Sequence, residues 1–115
     1  MKEIQFIYLD LYKINLYILH NFSVEDAKKA LDKEDIQVSK NLFKNAGDGF
    51  TCRTKCDRII IWTRSNRFSV LVHEIYHASC FILQRRGIIN TGCPGCHEIY
   101  AYTIEMIVKK ILKEK

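Results

Sequence analysis

The sequence predicts a small α+β fold, and three stretches carry that expectation. Ile59-Ile60-Ile61-Trp62 is a short run of β-branched and aromatic residues, the pattern of a buried strand. Residues 68–83 include Val70, Leu71, Val72, Ile75, Ala78, Phe81, Ile82 and Leu83, apolar almost all round, so a helix packed on several sides is expected. Residues 97–113 repeat that composition, with Ile99, Tyr102, Met106 and Val108 among Ile104, Ile107 and Ile111. At 115 residues the chain is expected to form a single domain, 1–115, with one proline and 48% apolar residues arguing against disorder.

The remaining elements follow in order. Within 4–22 the alternation of Ile14, Leu16 and Ile18 with Asn15 and Tyr17 predicts β structure, while 4–9 reads as either a separate strand or a short helix. Ser23 is placed to cap a helix with Asp26 at its third position, an apolar stripe of Ala27, Ala30 and Leu31, and an end within 32–35. Residues 36–43 carry no clear periodicity. Ala46-Gly47-Asp48-Gly49 predicts a turn and 50–53 a short strand after it. The helix at 68–83 has Ser65 or Asn66 available as its cap, Arg85 and Arg86 at the negative end of its dipole, and Gly87 to stop it.

The net charge of +5 is spread over Lys28-Lys29, 53–58, Arg85-Arg86 and the end of the chain, without a basic block interleaved with aromatics. A solvated surface is expected, with nucleic acid an unfavoured partner. Glu3, Asp10 and Lys13 interrupt the apolar start, which is unlike a signal peptide, and no run approaches the ~20 apolar residues of a membrane span. The expected location is cytoplasmic.

Chemistry concentrates at His73-Glu74-Ile75-Tyr76-His77, an H-E-x-x-H pattern. Residues four apart share a helix face, so two imidazoles can converge on one metal ion, and the adjacent Glu74 can take a proton from a metal-bound water. Unpaired in a helix buried all round, these groups would cost several kcal/mol. A metal would remove that cost. Catalytic zinc needs a third protein ligand. The extended form with a glycine and third histidine is excluded by Cys80 and Leu83. Glu98 is the best-placed candidate, with His97 as the second choice; Glu98 also fits an ordinary acid near a helix start. Tyr102 and Glu105 share its face. Tyr102 is either a core residue or a phenol that donates to an oxyanion, and Glu105 is a candidate to orient a histidine.

Gly-Asp-Gly-Phe-Thr (47–51), Ile-Ile-Ile-Trp (59–62), the H-E-x-x-H helix (70–78), Gly-Ile (87–88) and Glu98 with Ala-Tyr (101–102) together resemble small phage-type zincins, minimal gluzincin-like metallopeptidase domains. The resemblance covers residues 46–107. It implies a short antiparallel sheet beside the active-site helix, zinc held by His73, His77 and Glu98, and Glu74 as general base. It names no substrate. The sequence departs from that pattern in its cysteines. Cys52-x-x-x-Cys56 and Cys93-Pro-Gly-Cys96 have spacings suited to a second, structural zinc, with disulfides or free thiols as alternatives.

The expected function is therefore zinc-dependent hydrolysis of a peptide or protein substrate, with a catalytically silent, zinc-stabilised binding module for a host protein or nucleic acid as the alternative. The strand at 59–62 is expected to be either an edge for an extended substrate or a plain core strand.

Overall fold

The structure, a computed structural model, describes residues 3–54, 57–88 and 94–113. Its elements run β1 (Gln5–Leu9), β2 (Ile14–Leu19), α1 (Val24–Lys33), α2 (Lys40–Asn45), β3 (Gly49–Arg53), β4 (Arg58–Thr63), α3 (Phe68–Arg85) and α4 (Pro94–Leu112). The α+β class is as expected. The sheet, however, is mixed and not antiparallel. Its strand order is β1-β2-β4-β3, and β2 pairs with β4 in parallel while both flanking pairs are antiparallel.

The two faces of the sheet bury different residues, as period-two alternation requires. On one face Ile7, Leu9, Ile14, Leu16, Ile18, Ile59 and Ile61 pack against Leu71, Ile75, Ala78 and Ile82 of α3 and Ile107 of α4. On the other, Leu19, Phe50, Ile60 and Trp62 pack against Ala27 and Leu31 of α1 and Phe43 of α2. Burying each of these aliphatic side chains contributes roughly 1.5–3 kcal/mol. Helices therefore lie on both sides, and β4, flanked by β2 and β3, is a core strand buried along Ile59–Thr63 without a free edge.

Local signals were accurate at two helix ends. The Ser23 hydroxyl accepts from the Asp26 amide at 3.1 Å, starting α1. Gly87 takes φ +76°, and the amides of Gly87 and Ile88 return to the carbonyls of Gln84 and Leu83, the hydrogen-bond pair of a Schellman stop. The last helix is present but starts earlier than 97, at Pro94. The start of α3 differs: its N-cap is Arg67, with no side-chain cap. Residues 4–9 resolve as the strand β1, and 36–43 include the short helix α2.

Candidate functional site

The helix α3 is not buried all round. Leu71, Glu74, Ile75, Ala78, Ser79, Ile82 and Leu83 face inward, whereas His73, Tyr76 and His77 are exposed. The histidines meet as their spacing dictates, with Nε2 atoms 3.2 Å apart and rings edge to face at 4.7 Å between centroids. One ring N–H donates to the nitrogen lone pair of the other. Because both rings are open to water, the burial cost that seemed to demand a metal does not arise.

Glu74 is the buried member, 6% exposed. The Thr51 hydroxyl lies 2.7 Å from Glu74 Oε1 and 2.9 Å from the Glu74 carbonyl oxygen, so its single proton serves one acceptor at a time. This bond ties the first turns of α3 to β3. Gly49 makes the approach possible. A Cβ there would stand 2.7 Å from the Trp62 carbonyl oxygen and 3.5 Å from the Glu74 side chain. Between the 46–49 turn and α3 opens a cleft of about 390 Å³, lined by Asp48, Gly49, Arg67, Ser69, His73 and Glu74 among others. Arg67 and Asp48 close its rim with a 2.8 Å ion pair between exposed side chains.

The other expected site residues lie elsewhere. Glu98, Tyr102 and Glu105 do share one face of α4, but that face looks to solvent. The inward face is formed by Tyr100, Thr103 and Ile107. Tyr102 is 66% exposed, so it is no core residue, and Glu105 pairs with Lys109 at 3.0 Å, not with a histidine. His97 is exposed as well. Among the described residues, no group of three or more His, Cys, Asp or Glu side chains is placed to hold a metal ion.

The expectation of a zincin-type centre is corrected on this point. His73 and His77 supply two donors, Glu98 does not join them, and among the described residues the donor set for a catalytic zinc is incomplete. The zinc-dependent metallopeptidase, its zinc cofactor, the catalytic roles of Glu74 and Tyr102 that depended on it, and the zinc-stabilised module are all withdrawn with it. The cysteine site is corrected too. Cys96 is disulfide-bonded, while Cys52 and Cys80 are free. Burial pushes the Cys52 thiol up to about 11, so it is a neutral thiol near neutral pH. Cys56 and Cys93 fall outside the described residues.

Sequence reading missed the partner of Glu74. Thr51 sits in a G-x-T alternation, Gly49 to Thr51, that places both residues on the α3 side of β3; the strand expected at 50–53 begins one residue earlier, at Gly49, which hides that alternation in the sequence. The sheet's terminal strands are β1 and β3. Arg64 N–H donates to the Asp48 carbonyl and Thr54 N–H to the Arg58 carbonyl, bracketing the β3–β4 ladder with hydrogen-bonded pairs. Alternation then turns the main-chain groups of Phe50 and Cys52 toward β4, and those of Thr51 and Arg53 outward.

The chain matches no protein-family model, no curated protein and no solved structure. Among the described residues, no helix is long and apolar enough to cross a membrane.

Proposed function

We propose that this domain binds an extended peptide segment of a partner protein by strand addition to the outer edge of β3. The observation that carries this reading is the outward N–H and C=O set of Thr51 and Arg53 on a terminal strand, directly beside the α3 cleft. An unpaired edge gives a peptide its main-chain hydrogen bonds, and pockets beside it read alternate side chains.

The flanking chemistry supports the choice. A strand laid on β3 would run past Gly49, Arg67, His73 and Glu74, a polar cleft with hydrogen-bonding groups of both kinds. Phe68 and Tyr76 are exposed on α3, as apolar surfaces for a partner's side chains. The Thr51–Glu74 bond fixes β3 to α3, so the edge is held in place before anything binds, which lowers the ordering cost of association.

The test begins with peptides selected for binding from a random display library. N-methylation of successive amides in a selected peptide is expected to abolish binding at alternate positions only. In the protein, Arg53→Pro removes an outward N–H and is expected to eliminate binding that Arg53→Ala retains, with both variants folded by circular dichroism. Peptides that tolerate N-methylation throughout, or that bind Arg53→Pro normally, would show the proposal to be wrong.

A further inference from the structure

A larger cavity, about 680 Å³, lies on the opposite side of the sheet, between residues 35–39, α2 and the ends of β3 and β4. That volume is in the range of small-molecule sites. Its composition is graded. Ile36, Val38 and Leu42 supply an apolar wall. Cys52 and Thr54, on the face of β3 turned away from α3, belong to the other wall, and Arg58 at the start of β4 lies beside them.

Among the described residues, two of these groups lack a protein counterpart. Thr54 Oγ1 is buried with no hydrogen-bond partner, a condition that ordinarily costs about 1–3 kcal/mol. Arg58 is half-buried, its guanidinium held 5.8 Å from the ring of Tyr17, and no described carboxylate forms an ion pair with it. Asp35, also at the cavity, is exposed and solvated. The neighbouring Cys52 thiol keeps its proton, so it adds no negative charge to the wall.

We propose that this cavity is a ligand site for a small amphipathic anion, a carboxylate carried on an apolar chain. Arg58 holds the carboxylate, and Ile36, Val38 and Leu42 cover the chain. The stacking of Arg58 on Tyr17 restrains the guanidinium and leaves its N–H groups available to the anion. The cavity shares Arg53 with the β3 edge but lies on the other side of the sheet from the α3 cleft, and octanoate binding reads it apart from peptide binding.

The probe is octanoate, compared with octanol and octylammonium, titrated into the full chain labelled with 15N and followed by amide chemical shifts. Octanoate is expected to shift Val38, Leu42, Cys52 and Thr54 selectively and to bind more tightly than the other two. Arg58→Gln is expected to weaken octanoate about tenfold while leaving octanol unchanged, as loss of one charge-assisted contact predicts. Retained octanol binding also shows that the variant is folded. Absence of localised shifts, octylammonium binding as tightly as octanoate, or an Arg58→Gln variant that binds octanoate normally would each overturn the assignment.

Discussion

The polar faces of α3 and α4 look alike in the sequence and differ in the structure. Each places ionisable residues at helical spacing: His73, Glu74 and His77 on one, Glu98, Tyr102 and Glu105 on the other. On α3 one member, Glu74, is turned inward and held from outside the helix, because Thr51 of β3 bonds it and Gly49 lets the strand come close. On α4, among the described residues, the set has only local company, the Glu105–Lys109 pair one turn along. Spacing shows which residues share a face. Which way that face looks is settled by the residues opposite, here Tyr100, Thr103 and Ile107 turned to the core.

Substitutions on the two helices should separate these faces, beginning with the core beneath α3. Ile75, fully buried between the sheet and α3, is expected to cost about 2–5 kcal/mol as Ile75→Ala, whereas Tyr102→Ala should stay within about 0.5 kcal/mol. Denaturant midpoints measure both; equal losses would mean that α4 packs by its outer face. Gly49→Ala comes next, at about 1–3 kcal/mol, because the added carbon meets the Trp62 carbonyl oxygen at 2.7 Å. Thr51→Val removes the hydroxyl from a buried carboxylate and is expected to cost about 1–3 kcal/mol, much of it restored in Thr51→Ser. A Thr51→Val protein as stable as the parent would separate β3 from Glu74.

Alkaline titration reports on β3 from its other face. The folded state holds the Cys52 proton up to about pH 11, while the unfolded chain releases it near 9.0. The contribution is therefore complete below pH 9 and falls as pH rises toward 11, by on the order of 1–2 kcal/mol. Cys52→Ala should flatten that part of the stability profile, measured by unfolding at a series of pH values; an unchanged slope would remove the thiol from the account. The smallest effects belong to α4. Glu98→Gln and Glu105→Gln are each expected to change stability by less than about 0.5 kcal/mol, since one is solvated and the other forms an exposed pair.

Much of the local structure was legible in the sequence. Ser23 and Gly87 acted through their own backbone surroundings, and Ile59-Ile60-Ile61-Trp62 could satisfy so much apolar surface only in a buried strand. The His73–His77 contact was legible for the same reason, since four residues of helix determine it. What failed was everything that depends on partners distant in sequence. Nothing in 14–19 or 58–63 announces that these strands pair in parallel, and nothing in 98–105 says that its acids face outward. The zinc reading treated residues with compatible chemistry as neighbours, and the core of α4 turned them away.

The parallel seam between β2 and β4 also shapes how the chain reaches this state. Leu16 meets Ile59 across it, with α1, α2 and β3 lying between them in the sequence. The hairpins β1–β2 and β3–β4 close over short loops, whereas the seam must wait for a long segment to be gathered in, and such non-local closure slows folding. Until it forms, the inner margins of both hairpins are open strands. The interval before the seam closes is when this chain is most exposed to pairing with the wrong partner.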